Sequence, residues 1–132
     1  MTKNTTLHFL YYWLPVVLFC VLLFAQSSLS TPEVMPAFPH MDKFLHLGAY
    51  SILGALFLRG FGNSKYKHNG RLIVVASILL TGIYGATDEL HQYYVPVRSA
   101  DTWDLICDFL GGGIGVYVYQ MLVQKYPKLR CI

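Results

Sequence analysis

Charge is what this sequence has least of. Only 13% of its 132 residues are Asp, Glu, Lys or Arg, where an average soluble domain has about 25%. With a mean hydropathy of +0.44 and 55% apolar residues, the chain cannot clothe a globule in polar side chains, and the first expectation is a protein embedded in a bilayer. Cysteine is scarce as well: Cys20, Cys107 and Cys131 are odd in number and far apart, which argues against a disulfide framework and a zinc knuckle. The net charge of +3 forms no basic stripe interleaved with stacking aromatics, so nucleic acid is not an expected partner. Neither an internal repeat nor a low-complexity tract interrupts residues 1–132, and their number suits a single domain.

Four apolar stretches are present, and they predict an all-α, polytopic membrane protein built as a four-transmembrane-helix bundle. The expected helices are about 7–25, 42–61, 72–90 and 105–123, each close to the roughly 20 residues that a hydrocarbon core requires. Lys3 and the sequence Ala25-Gln26-Ser27 give the first stretch some features of a cleaved signal, but it is long for a signal's apolar region and reads as a retained helix. The uncharged part of the second, 47–58, is short enough to leave a tilted or re-entrant segment open. Pro32, Pro36 and Pro39 make the connection before it an extended loop. Lys3, Arg59, Lys65, Lys67, Arg71, Lys125, Lys128 and Arg130, eight of the ten basic residues, share one side if both termini are cytoplasmic, as the positive-inside rule expects. His68 and Arg59 fall in that inner loop as topology determinants. All the acidic residues then lie toward the exterior.

Residues 84–108 hold five of the seven acidic residues, together with His91 and Arg98. Ionisable groups at membrane depth are costly, so their crowding points to a site. Tyr84, Asp88, His91 and Gln92 share one helical face; Asp101, Asp104 and Asp108 share another; and Asp42, His46 and Tyr50 recur at intervals of four on the second segment. The three faces are expected to meet near the outer headgroup level.

Clustered carboxylates need compensation. Lys43, Arg98, His46 and His91 are available, and a divalent cation or a phosphate-bearing ligand are the other solutions. The planar fork of Arg98 suits phosphate oxygens, with Lys43 assisting. His46 or His91, oriented by a carboxylate, suits proton transfer or attack, with Asp42, Asp88 and Glu89 as the orienting or metal-holding groups. If a cation is bound, Asp88, Glu89, Asp101 and Asp104 are the expected ligands; otherwise Asp101 and Asp104 position Arg98. Tyr50, Tyr84, Gln92 and Asp108 complete the expected binding face. A purely structural set of ion pairs, such as Asp42 with Lys43 or Arg98 with Asp101, is the competing account. A proton relay across the membrane is disfavoured, because the inner halves of the third and fourth stretches carry no ionisable group. Gly111 and Gly115 have the Gly-x-x-x-Gly spacing of close helix packing. Tyr93, Tyr94 and Trp103 read as interface anchors.

Three blocks carry a resemblance: Asp42-Lys43-x-x-His46-x-x-x-Tyr50, Tyr84-Gly85-x-x-Asp88-Glu89-x-His91-Gln92, and Val95-Pro96-x-Arg98-x-x-Asp101-x-x-Asp104 before a glycine-rich last helix. In this order and spacing the chain resembles the VanZ-like family of small bacterial membrane proteins. It departs from the family pattern at Val97, where glycine is usual, and at Asp108, where asparagine is usual. The first departure stiffens the turn before Arg98 and the second adds a negative charge. The resemblance implies a four-helix protein of the bacterial inner membrane with an outward polar pocket. It further implies kinship with membrane enzymes that handle lipid headgroups or lipid-linked precursors, and with the convergence of acid, base and cation it leads to the expectation of an enzyme that hydrolyses or transfers a phosphate-linked group of a lipid headgroup or lipid-linked cell-wall precursor. The family is named for an accessory protein that raises resistance to the glycopeptide teicoplanin, and the alternative is a non-catalytic binding protein for a lipid or wall precursor that lowers susceptibility to it.

Overall fold

Each apolar run becomes one helix, and each helix outlasts its run. The structure, a computed structural model, describes residues 3–29, 40–96 and 100–131. Its helices are α1 (Lys3–Ser28), α2 (Met41–Gly62), α3 (Gly70–Tyr93) and α4 (Thr102–Lys125), followed by a 3-10 turn at Pro127–Cys131; no strand occurs among the described residues. All four are long and apolar enough to cross a membrane. The second stretch is an unbroken helix of 22 residues, so neither a re-entrant loop nor a break is needed there.

The extra turns come from caps that hydropathy does not register. Asn69 Oδ1 accepts from the Leu72 amide at 3.0 Å and starts α3, and Asp101 Oδ1 accepts from the Trp103 amide at 2.9 Å and starts α4. Both satisfy amides that a helix N-terminus leaves unpaired.

Polarity in the bundle is inside out. The buried positions of α3 are Ser77, Thr81, Gly82, Gly85, Asp88, Glu89 and Gln92, and those of α4 include Asp104, Asp108 and three glycines. Leu79, Ile83, Leu90, Leu110 and Tyr117 face outward, as lipid-facing side chains should. Hydroxyls on the inner stripe bond back to their own helix, Thr81 Oγ1 donating to the Ser77 carbonyl at 2.8 Å, which keeps them satisfied away from water.

Helices α2 and α4 run parallel and form the most extensive contact. A Cβ on Gly111 would meet the Leu47 carbonyl at 2.6 Å, and one on Gly115 would overlap the Ser51 carbonyl. The glycine spacing therefore lets two backbones approach. α3 runs antiparallel to both, and α1 lies against α2 and α3 through Trp13, Val16 and Cys20.

Pro15 stands inside α1. Proline has no amide hydrogen, so the Tyr11 carbonyl loses its helical donor. Arg59 Nη1 donates to that carbonyl at 3.4 Å, and its guanidinium lies 5.0 and 4.8 Å from the Tyr11 and Tyr12 ring centres. Arg59 is thus in the last turn of α2, not in the loop where its charge alone placed it.

Candidate functional site

The acidic cluster sits where α2 and α4 begin and α3 ends. Lys43, in the first turn of α2, is its first organiser. Its ammonium lies 2.8 Å from Asp101 Oδ2, 3.1 Å from Asp104 Oδ1 and 3.3 Å from Asp42 Oδ2. The ammonium beside it, with the Trp103 amide, holds the Asp101 carboxyl below the usual carboxylate range. Asp101 does more than cap α4, because its own amide donates to Glu89 Oε2 at 3.0 Å. One residue thereby ties α2, α3 and α4 together.

Deeper by one turn, the His46 Nδ1–H donates to Asp108 Oδ1 at 2.9 Å. The imidazole stacks on Tyr50, with ring centres 5.8 Å apart and planes 5° from parallel. Asp108 is entirely buried and fills the space left by Gly85, where a Cβ would collide with the carboxylate. Beside it, Tyr50 donates to Asp88 Oδ2 at 3.1 Å, and Gln92 Nε2 donates to the same oxygen at 3.2 Å.

Other carboxylate oxygens stay unanswered. Among the described residues, Asp88 Oδ1, Glu89 Oε1 and Asp108 Oδ2 are buried without a hydrogen-bond partner. Buried polar atoms are nearly always paired, so three orphans in one cluster set it apart from the rest of the described interior. Six carboxylates, on Asp42, Asp88, Glu89, Asp101, Asp104 and Asp108, share this end with Lys43 and His46.

Ten of the expected site residues come together: Asp42, Lys43, His46, Tyr50, Asp88, Glu89, Gln92, Asp101, Asp104 and Asp108. Two turn elsewhere. The Tyr84 hydroxyl donates to the Cys20 carbonyl, and His91 Nε2 hydrogen-bonds Ser28 Oγ at 2.9 Å while its ring lies 4.4 Å from that of Phe24. Both serve the α1–α3 contact. Arg98 lies outside the described residues. Lys43, committed to three carboxylates, is not a free phosphate ligand. The expected cation set of Asp88, Glu89, Asp101 and Asp104 is not the group that converges: the ligand atoms that lie within 4.8 Å of one another belong to His46, Glu89 and Asp108.

Sequence reasoning placed the three helices' polar faces but missed the His46–Asp108 pair and the double role of Asp101. A signal for the pair was present. Asp104, Asp108, Gly111 and Gly115 follow one another at spacings of four, three and four, so the acids share the face that the glycines press against a neighbour.

The opposite end holds a cavity of about 600 Å³ lined by Arg59, Asn63, Lys67, His68, Tyr119 and Gln124, among others. None of the expected site residues lines it.

Fold and cluster together define a class: four membrane-spanning helices whose polar interior gathers acids, a lysine and a histidine at one end. Residues 8–123 match the family model described as VanZ/LLP1, and the chain belongs to that family. No curated protein and no solved structure matches it.

Proposed function

We propose that this VanZ-family protein is a cell-envelope enzyme that hydrolyses or transfers a phosphate-linked group of a lipid headgroup or lipid-linked wall precursor. The observation that carries this reading is the His46–Asp108 pair, 2.9 Å apart, buried beside carboxylate oxygens that no described residue satisfies. A carboxylate that fixes an imidazole's orientation prepares it to take a proton from water or from an acceptor hydroxyl. Asp88, held by Tyr50 and Gln92 with one oxygen free, is the second group suited to proton transfer.

The cluster lies at the ends of three candidate spans, a position that in a bilayer would fall near headgroup depth. Arg59, Lys65, Lys67, Arg71, Lys125 and Lys128 gather at the other end, which the positive-inside rule assigns to the cytoplasm. The cluster then opens as an outward-facing pocket of the bacterial inner membrane. Since Lys43 is occupied, gripping the phosphate falls to Arg98. The Lys43 clamp itself joins α2 to α4 at this end.

The test is conversion of labelled lipid extract by the reconstituted protein. The wild type is expected to yield a product that an Asp88→Asn, His46→Ala double variant does not. Identical lipids from both, with one lipid retained unchanged on the wild type in native mass spectrometry, would establish a binding protein instead.

A further inference from the structure

We infer that His46, Glu89 and Asp108 form a site for one divalent cation of the Zn²⁺ or Mn²⁺ kind, contributed jointly by α2, α3 and α4. The three side chains come from three different helices, yet their ligand atoms all lie within 4.8 Å of one another. Two of them are carboxylates that the fold buries and leaves incomplete. Asp108 is 0% exposed and Glu89 7% exposed, and Asp108 Oδ2 and Glu89 Oε1 have no hydrogen-bond partner among the described residues. An ionised carboxylate is not stable in that condition without a proton or a cation. Among the described residues no free cation supplies one, since the nearby Lys43 is engaged by Asp42, Asp101 and Asp104.

Spacing agrees with coordination. His46 Nδ1 and Asp108 Oδ1 are 2.9 Å apart, and two neighbouring ligands at right angles, each about 2.1 Å from a metal, are separated by about 3 Å. Binding of an ion would displace the proton that the pair now shares. Supporting contacts are also in place: the Asp101 amide fixes Glu89 through Oε2 and leaves Oε1 for the ion, and Gly85 makes room for the Asp108 carboxylate. Such outer partners orient the ligands of metal sites. One imidazole with two carboxylates favours Zn²⁺ or Mn²⁺ over Ca²⁺ and Mg²⁺, which prefer all-oxygen ligation.

The inference rests on the cluster assigned to the proposed reaction and deepens it. With the ion bound, His46 is a ligand, and activation of the attacking water passes from the imidazole to the metal.

Purified full-length protein, stripped with EDTA in detergent, is titrated with Mn²⁺ while the free ion is followed by electron paramagnetic resonance, with Zn²⁺ as competitor. One ion per chain is expected, displaced by Zn²⁺. His46→Ala and Glu89→Gln should weaken binding by about 100-fold or more, while His68→Ala, at the opposite end, binds as the wild type does. Absence of stoichiometric binding, or equal binding by wild type and Glu89→Gln, would overturn the site. Thermal melts accompany each variant, and Glu89→Gln, which keeps the acceptor for the Asp101 amide, decides if His46→Ala does not fold. An ion bound without any lipid conversion would sink the catalytic reading alone; conversion by stripped protein that binds no ion would sink the metal alone.

Discussion

Asp108 and Gly85 show how tightly single residues are fitted here. A methyl group at residue 85 would enter the space of the Asp108 carboxylate, and overpacking of this sort typically costs about 1–3 kcal/mol. Gly85→Ala is therefore expected to unfold at lower denaturant than the wild type. Asp101 makes a prediction in pH. Its carboxyl is lowered in the folded protein by Lys43, so its stabilisation is complete above the unfolded value of about 3.9 and is lost as pH falls through the lower folded value. The stability gap between wild type and Asp101→Asn should accordingly narrow only below about pH 4; a gap independent of pH would show that the charge of Asp101 plays no part. At this scale spacing was informative up to a limit. It put Asp88, Tyr84 and His91 on one side of α3, but a helical face is wide, and only packing shows that α1 takes Tyr84 and His91 while α2 takes Asp88. Periodicity assigns a face and leaves the neighbour open.

At the scale of elements, Pro15 and Arg59 form a device joining α1 to α2. Removing the guanidinium leaves the Tyr11 carbonyl without this donor within a span, whereas alanine at residue 15 would restore the helical amide. Arg59→Ala should therefore destabilise the Pro15→Ala background less than the wild type, with a coupling of about 0.5–1.5 kcal/mol in a double-mutant cycle of unfolding. Additive effects would dissolve the link. The α2–α4 seam predicts a similar contrast: Gly115→Leu collides with the Ser51 backbone and should prevent folding, while Gly113→Leu meets open space and should be tolerated. Existence and number of the helices were legible because a long apolar run has few other outcomes. Their ends were not, since Asn69 and Asp101 extend α3 and α4 by caps that hydropathy does not see.

Across the whole molecule, α1 and α3 run one way and α2 and α4 the other, so the start of α1, the end of α4 and the α2–α3 connection share one end. Impermeant thiol reagents added outside cells should label a cysteine placed at Ala100 and leave one placed at Lys67 untouched. Among the described residues the acids gather at one end and every lysine and arginine but Lys43 toward the other, a division that the sequence made visible. What it could not reveal was that several of the acids' oxygens have no hydrogen-bond partner among the described residues. Sites kept for chemistry or binding commonly sacrifice stability, and neutralising them commonly restores about 0.5–2 kcal/mol. The most direct measurement is thus the melting of metal-free Glu89→Gln, which still accepts the Asp101 amide but removes one buried charge. It should be at least as stable as the wild type, by about 1 kcal/mol at best; a loss of about 1 kcal/mol or more would mean that Glu89 holds the fold together and that the cluster is structural.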